Sequence, residues 1–234
     1  MNKINTDSNL YTLIYAMIIG ALAAVLLAFV NQTLKSRQEA NALLDKQKQI
    51  LVALNVDFSK DDPAKIYKSV INDTLAFQSQ ASNKVNYLFI ANIDGLTKYV
   101  IPLYGQGLWG AIWGYIALND DRNTVFGINF GHESETPGLG GEIVTPTFRK
   151  RFIGKHIQDA SGMLRSIAVV KNGKKGGENQ ECVDAWAGAT ITSMGVNDML
   201  YNTLMEYKDF LEKPVNKGSM VSEEVVNHSA KEDD

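Results

Sequence analysis

The first feature of the chain is a long run of apolar residues near its start. Residues 10–30 carry no charge, and a helix of this length spans about 30 Å, the thickness of a bilayer core. Tyr11 and Tyr15 lie near one edge of the run, where interfacial aromatic residues are found. A cleaved signal peptide would have a shorter apolar stretch and small residues before its cleavage site. The pattern therefore predicts one transmembrane helix over residues 10–30, after a tail of residues 1–9.

Helical spacing of apolar residues follows this run. Between residues 33 and 54 they recur three and four positions apart, which predicts a helical stalk. Asp62 and Pro63 predict the start of a second helix, because proline is favoured in the first turn. The predicted apolar face of this second helix consists of Ile66, Tyr67, Val70, Ile71 and Leu75.

The centre of the chain is rich in β-branched and aromatic residues, which is typical of strands. Four strands are predicted, over residues 87–93, 97–104, 111–119 and 124–130. Asp94 and Gly95 predict a hairpin between the first two, and residues 119–123 connect the last two. Short connections of this kind join antiparallel strands. The predicted fold class is therefore α+β, an antiparallel sheet with flanking helices.

Further elements are predicted after the central strands. Thr145 and Pro146 predict a short helix that continues to Phe152, and residues 166–172 predict another strand. Ser193 is the predicted N-terminal cap of a last helix.

This last helix is predicted to continue to about Leu211, because apolar residues keep helical spacing up to that point. From Pro214 onward the chain is polar and charged, which predicts a disordered tail over residues 214–234. Residues 31–213 are therefore predicted to form one domain, with its helical stalk, after the anchor.

Composition limits the chemistry that this chain can perform. Its net charge is −3, from 23 basic and 26 acidic residues, so a nucleic-acid partner is not predicted. Cys182 is the single cysteine, which cannot form an internal disulfide or supply a cysteine-ligated zinc or iron–sulfur centre. The three histidines are far apart in the sequence, so a metal site is not predicted either. Redox chemistry would therefore require an organic cofactor.

Two glycine-rich segments are candidate ligand loops. Residues 104–110, YGQGLWG, contain G-x-G-x-x-G, but a strand rather than a helix is predicted next, which argues against a dinucleotide-binding loop. A turn that lays Trp109 against a flat ligand fits better, and a core position for Trp109 is the alternative. Residues 132–142, HESETPGLGGE, combine three glycines with the polar side chains of Glu135 and Thr136.

A third segment, DAWAGATITS at residues 184–193, allows two interpretations. It is either an ordinary turn into a helix that Thr192 or Ser193 caps, or a phosphate site at a helix N-terminus. In the second case small neighbours leave the hydroxyl of Thr190 accessible. A phosphate esterified to that hydroxyl would then lie among Thr192, Ser193 and backbone donors.

These motifs together carry a resemblance to a known family. Residues 184–190, DAWAGAT, resemble the signature D-x-x-[ST]-G-A-T of covalent flavinylation, in which a threonine is joined to the phosphate of FMN. The ETPGLG loop, the GQGLW turn and the single anchor extend the resemblance to about Leu211. The chain is identified as a member of the NqrC family of the sodium-translocating NADH:quinone oxidoreductases, which have a covalent FMN-binding domain. Ala187 departs from the signature and removes one hydroxyl contact, whereas the acceptor Thr190 is present.

The resemblance implies a function and a location. The family's complex oxidises NADH, reduces quinone (ubiquinone) and exports sodium ions, and NqrC is one of its electron carriers. A separate magnesium-dependent flavin transferase attaches the FMN, with FAD as the donor. Expected partners are therefore the other subunits of the complex and this transferase. The family also implies a single-pass protein of the bacterial inner membrane, with a cytoplasmic N-terminus and a periplasmic FMN domain.

The resemblance also assigns cofactor-binding residues and implies no catalytic side chain. Thr190 is the covalent acceptor, and Lys171 lies near the flavin, where its charge would favour the reduced, anionic form. Residues similar to those that line the isoalloxazine are Leu108, Trp109, Glu135, Thr136 and Leu139. The other assigned positions are Gly138 and Gly140 in the loop, and Asp184, Gly188, Ala189, Ile191, Thr192 and Ser193 around the acceptor.

Two other interpretations remain open on sequence alone. The homologous flavoprotein of the Rnf ion-translocating electron-transport complex also carries a threonine-linked FMN and a similar loop. A membrane-tethered binding module without a redox cofactor is the alternative from another class, because the sequence shows no self-sufficient catalytic constellation.

Overall fold

The structure is a computed structural model, and it describes residues 9–79, 82, 84–171, 181–212 and 221–222. The first element, α1 (Asn9–Ala53), is one continuous helix through both the predicted span and the predicted stalk. Within the described residues it is the one helix long and apolar enough to cross a membrane, with a window of mean hydropathy 2.7 that is fully exposed. The chain divides into two compact units between Lys46 and Gln47, and the second unit contains the sheet.

The second unit is built on a six-stranded antiparallel sheet. Its strands in chain order are β1 (Ile71–Gln78), β2 (Val85–Ile93), β3 (Leu96–Gln106), β4 (Ala111–Leu118), β5 (Val125–His132) and, at the far end of the chain, a last strand at Val221–Ser222. Neighbours in the sheet follow the order β5-β4-β3-β2-β1 and then the last strand. The predicted antiparallel sheet is confirmed, and β2 to β5 agree with the four predicted strands to within a few residues.

Helices surround the sheet and the loops that follow it. α2 (Pro63–Val70) precedes β1, and a 3-10 helix (Gly140–Val144) leads into α3 (Pro146–Arg149). A small separate sheet pairs β6 (Ala168–Val170) with β7 (Cys182–Asp184) in parallel. The last strand of the large sheet, Val221–Ser222, is β8. α4 (Thr190–Glu206) and α5 (Lys208–Glu212) complete the domain.

The sheet buries apolar side chains on both faces. One face packs against α4, where Val196, Met199, Leu200 and Leu204 are fully buried or nearly so. The opposite face holds a smaller cluster that includes Ile50 in the last turn of α1 and Leu54 just after it. α4 packs mainly against the central strand β3, and Gly195 near the start of the helix lies against Gln106 at the end of that strand.

The prediction for the second helix was wrong at its C-terminal end. Ile71 and Leu75 lie in β1, not on the apolar face of a helix, because α2 ends at Val70 and Ile71 is already extended. A spacing of four residues places two side chains on one face of a helix and also on one face of a strand. Pairing with β2 along its length decided the outcome in favour of the strand.

The last third of the chain also differs from its prediction. The final helix begins at Thr190 with Ala189 as its N-cap, so Ser193 lies inside the helix and does not cap it. It is interrupted at Tyr207, before α5 continues to Glu212. The short helix predicted to reach Phe152 ends at Arg149 and continues as a turn.

The strands after the central sheet were only partly anticipated. The strand predicted over residues 166–172 is shorter, and its parallel partner β7 was not predicted. Of the predicted tail, residues 221–222 pair with β1, and the other residues from 214 onward lie outside the described residues.

Candidate functional site

The start of α4 presents one exposed hydroxyl on a glycine turn. Gly188 has φ +81°, a conformation that residues with a Cβ rarely adopt, and it turns the chain from β7 towards the helix. Thr190 is the first residue of α4 and is exposed to solvent. No side chain accepts a hydrogen bond at the N-cap Ala189. The first turn therefore offers backbone N–H groups and a partial positive charge beside the Thr190 hydroxyl.

The turn before α4 is held by contacts to its backbone. Ser193 Oγ accepts a hydrogen bond from the Trp186 N–H at 3.1 Å. Arg151 Nη1 donates to the carbonyl oxygens of Asp184 at 2.7 Å and Ala185 at 3.2 Å. The Arg151 guanidinium also lies 5.1 Å from the centre of the Trp186 ring system. These bonds fix the segment from which Thr190 emerges.

A cavity of about 250 Å³ lies beside Thr190. Its lining residues are Val169, Val170, Lys171, Ala185, Thr190, Ser193 and Met194. Parallel pairing of β6 with β7 accounts for this arrangement, since Val170 lies opposite Asp184 and its carbonyl accepts from the Ala185 N–H at 2.7 Å. The pairing thus brings Lys171 and Thr190 to one cavity.

The G-x-G-x-x-G segment forms the tight turn between β3 and β4, as predicted from the strand that follows it. The Gly107 N–H donates to the Gly110 carbonyl at 2.9 Å, and β4 begins at Ala111. Leu108 and Trp109 at the tip are 43% and 66% exposed. This turn therefore presents apolar side chains to solvent and has no phosphate-binding helix after it.

The ETPGLG loop contributes a buried carboxylate. Glu135 is only 3% exposed and accepts hydrogen bonds from the Thr192 hydroxyl at 2.6 Å and the Trp109 N–H at 2.9 Å. Its own N–H donates to His132 Nδ1 at 3.2 Å. Burial raises the pKa of this carboxyl, but the hydrogen-bond contributions of Thr192, Trp109 and Leu108 together lower it by more than burial raises it. The net pKa therefore lies below its ordinary value. Glu135 is therefore ionised at neutral pH.

The three motif segments meet around this loop. Leu139 Cδ2 lies so close to Gly188 that a Cβ there would be 2.9 Å away. Exposed apolar side chains sit on all three segments: Leu108 and Trp109 on the glycine turn, Leu139 on the loop, and Ile191 and Met194 on α4. Apolar side chains that are exposed together in this way are typical of a binding surface.

The predicted site residues fall into two groups, those accessible to a ligand and those buried and bonded within the protein. Thr136, Gly138, Leu139 and Ile191 are exposed, and Lys171 and Thr190 share the cavity. Thr192 and Ser193, expected beside a phosphate, are each 1% exposed and bond to protein partners.

Three further predicted positions complete the turn and the loop. Gly140 and Ala189 are buried, and Asp184 has a buried Oδ1 with no protein partner among the described residues. Ala187 is exposed in the turn, so the missing hydroxyl at this position leaves no gap in the core.

Two residues of this site, Arg151 and Met194, were not predicted from the sequence. Arg151 bonds to backbone carbonyls, which leave no trace in a side-chain motif. Met194 lines the cavity one helical turn after Thr190, and a spacing of four residues on the last helix is the signal that could have found it.

Comparison with known proteins gives consistent similarities. The family described as FMN-binding domain matches residues 107–205, from the glycine turn through most of α4. The NqrC protein of the Na(+)-translocating NADH-quinone reductase from Yersinia pestis is 30% identical over 92% of this chain and 96% of its own length. The corresponding protein from Pseudomonas aeruginosa is 31% identical over 84% and 92%.

Two solved structures resemble the fold. The NqrC protein of the Na(+)-translocating NADH-quinone reductase from Parabacteroides distasonis superposes with a TM-score of 0.72 at 39% identity, over 78% of this chain and 98% of its own. NqrC of Shewanella oneidensis superposes with a TM-score of 0.57 at 24% identity, over 70% and 89%. The second similarity concerns the fold alone. The region matched by the family contains residues 107–110 of the glycine turn and the whole of the other two motif segments.

Proposed function

The chain belongs to the NqrC family of the Na(+)-translocating NADH-quinone reductases, and we propose that it carries FMN on Thr190 through a phosphoester bond. The observation that supports this most directly is the exposed Thr190 hydroxyl at the start of α4, beside a cavity that also contains Lys171. In the complex the chain then serves as one carrier of electrons between NADH and quinone.

The residues present fit the chemistry of FMN. A phosphoester is anionic, and the N–H groups and partial positive charge of a helix N-terminus stabilise an anion. Lys171 adds a cation at the same cavity. At about 250 Å³ the cavity is smaller than the roughly 300–1,000 Å³ of pockets that enclose a ligand, so it suits part of the cofactor.

The exposed apolar residues suit the remaining part of the cofactor. Leu108, Trp109, Leu139 and Ile191 offer apolar and aromatic surface next to the segment that carries Thr190. Once bound, FMN supplies one- and two-electron redox chemistry, and the chain supplies placement and electrostatics. A covalent bond prevents loss of the cofactor by dissociation, which matters for a carrier that has no free FMN supply around it.

Membrane anchoring follows from the apolar part of α1. We propose that residues 10–30 span a bacterial inner membrane, with the N-terminus in the cytoplasm and the FMN domain in the periplasm. The other subunits of the complex are the proposed electron partners, and sodium export is coupled to the electron flow through the assembly. A flavin transferase with FAD as donor is the proposed maturation partner.

Mass spectrometry of the full chain tests the attachment. Co-expression with a flavin transferase is expected to add the mass of one FMN less one water. Thr190→Val keeps the side-chain volume, removes the hydroxyl and is expected to abolish the gain. Thr147→Val, an exposed threonine on α3, is the matched control and should retain it.

The outcomes separate the alternatives. An FMN-sized gain on Thr190→Val would contradict the assignment of the acceptor. A colourless, unmodified wild-type chain would instead favour a membrane-tethered binding module. If the modified chain co-purifies with Rnf proteins and not with those of the NADH-quinone reductase, the proposed complex is wrong while the cofactor assignment stands.

A further inference from the structure

One buried carboxylate joins the three motif segments of the site. Glu135, in the ETPGLG loop, accepts hydrogen bonds from the Thr192 hydroxyl on α4 and from the N–H of Trp109 in the glycine turn. Glu135 and Thr192 are 3% and 1% exposed, so both are enclosed by protein. Residues that contact a cofactor directly would need accessible side-chain atoms, and these two have almost none.

Two motif glycines make room for this carboxylate. A Cβ on Gly107 would lie closer than 3.0 Å to Glu135 Oε1, and a Cβ on Gly140 would lie closer than 3.0 Å to Glu135 Oε2 and to Thr192 Oγ1. Real Cβ atoms are essentially never found at such distances from other atoms. The backbone therefore closes around the carboxylate on both sides. The lack of space for a Cβ beside Glu135 explains the glycine in both loops.

We propose that Glu135 and Thr192 are positioning residues, whose bond fixes the Leu108–Trp109 tip relative to Thr190 on the first turn of α4. Thr192 follows Thr190 by two residues, so a bond at Thr192 holds the same helical turn. The arrangement itself stands on the geometry, and only its effect on a flavin rests on the proposed function.

A carboxylate suits this position better than an amide does. One N–H group and one O–H group point at its two oxygens: the Trp109 N–H donates to Oε1 and the Thr192 hydroxyl donates to Oε2. Both oxygens of a carboxylate accept hydrogen bonds, whereas a glutamine presents one oxygen and one donor NH₂ group. Bonds to an ionised acceptor are also stronger than those between neutral groups.

Four variants of the full chain separate positioning from simple stability. Thr192→Val removes the hydroxyl at constant volume, and Thr192→Ser retains it. Glu135→Gln keeps the volume and replaces one acceptor by a donor. Tyr207→Phe is the matched control, because Tyr207 is also buried and its hydroxyl donates to the Tyr87 carbonyl at 2.6 Å.

The first readout needs no cofactor. Amide hydrogen exchange is measured in the full chain without FMN, at Leu108 and Trp109. Thr192→Val and Glu135→Gln are expected to raise their exchange rates by about tenfold or more. Thr192→Val releases the carboxylate that holds this tip at the Trp109 N–H, and Glu135→Gln replaces one of its oxygens by a donor group. Thr192→Ser and Tyr207→Phe are expected to leave these rates at the wild-type value, although Tyr207→Phe lowers the melting temperature.

The second readout uses the chain after flavin attachment. Thr192→Val is expected to shift the flavin absorption maximum and midpoint potential, and Thr192→Ser to restore both. If Thr192→Val leaves the exchange rates and the flavin properties no more changed than Tyr207→Phe does, the pair is structural only and the proposal is wrong. Absence of FMN from the wild-type chain would contradict the proposed function, and the exchange rates would still decide the positioning role.

Discussion

The two ends of α4 lie in different surroundings. At its start Thr190, Ile191 and Met194 are exposed, and the hydroxyls of Thr192 and Ser193 are used to tie neighbouring loops together. At its end Leu204 is fully buried in the main core.

Aromatic residues complete the buried end. The rings of Phe77 and Tyr207 pack edge to face at 5.2 Å, and Phe210 packs against Tyr99 at the same distance. Burial raises the pKa of the Tyr207 phenol, whose hydroxyl bonds to a strand carbonyl. The end of the helix thus contributes to the core, whereas its start carries the proposed attachment site, and substitutions along it should affect different measurements.

Two side-chain truncations, one at each end of α4, compare the ends directly and have the largest expected effect. Leu204→Ala is expected to lower the free energy of unfolding by about 2–5 kcal/mol, because it leaves a cavity in the main core. Ile191→Ala, at a position that is 58% exposed, is expected to change it by less than about 0.5 kcal/mol. Urea unfolding of the full chain measures both.

Flavin measurements on the same pair complete the test. FMN content per folded molecule should be unchanged in Leu204→Ala, whereas Ile191→Ala should shift the flavin absorbance. Equal destabilisation by the two variants, or loss of attachment only in Leu204→Ala, would break the proposed division between the ends of α4.

The turn before α4 gives the next largest expected effect. Arg151→Met keeps the apolar stem and removes two hydrogen bonds to carbonyls of residues 184 and 185. Loss of charge-assisted bonds should lower the free energy of unfolding by about 1–3 kcal/mol and reduce the extent of FMN attachment. Intact mass and thermal melting measure the two effects. Lys150→Met, an exposed neighbour on the same turn, is the control, and an equal loss of attachment in both variants would rule out the role of Arg151.

The pH dependence of stability tests the role of Glu135 at the start of α4. Its pKa in the folded chain lies below the ordinary value of about 4.3, so its stabilising contribution is present above that pH. The contribution is lost as the pH falls through the lower folded-state pKa. The stability difference between the wild type and Glu135→Gln should therefore be largest near neutral pH and shrink below about pH 4. A difference that grows in acid would have the wrong sign for this carboxylate.

The smallest expected effect is at Lys171. Removal of a cation near the cofactor should lower the midpoint potential, because a positive charge favours the reduced, anionic flavin. Lys171 is exposed, so salt will weaken the effect, and at physiological ionic strength its charge is largely screened beyond a Debye length of about 8 Å. Potentiometry of Lys171→Met at low and high salt tests this, with Lys150→Met as the control. A potential that rises, or that is the same in both variants at low salt, contradicts the role.

The sequence predicted the four central strands of the fold and missed others. Strands β2 to β5 were predicted because their β-branched and aromatic residues mark a half-buried surface. β1 was missed, since Ile71 and Leu75 fit a helical face as well as a strand face. β7 was missed because it has only 3 residues, which is too short for an alternating pattern to mark it.

At the site, the motifs identified the members but not their contacts. Thr192 and Glu135 were both expected beside the cofactor, yet 57 positions separate them in sequence, and the fold bonds them to each other. Hydroxyl and carboxylate groups are suited equally to ligand binding and to internal bonds. Burial, which depends on the whole fold, determines which of these roles each side chain has.

The central claim is that the start of α4 carries FMN, and peptide mapping tests it most directly. The full chain is purified after co-expression with a flavin transferase, digested and analysed by tandem mass spectrometry. The account predicts one FMN, less water, on the peptide that contains Thr190, with fragment ions that localise it to that residue. The same mass on any other residue, or on no peptide of a chain that the transferase has had access to, would contradict the account.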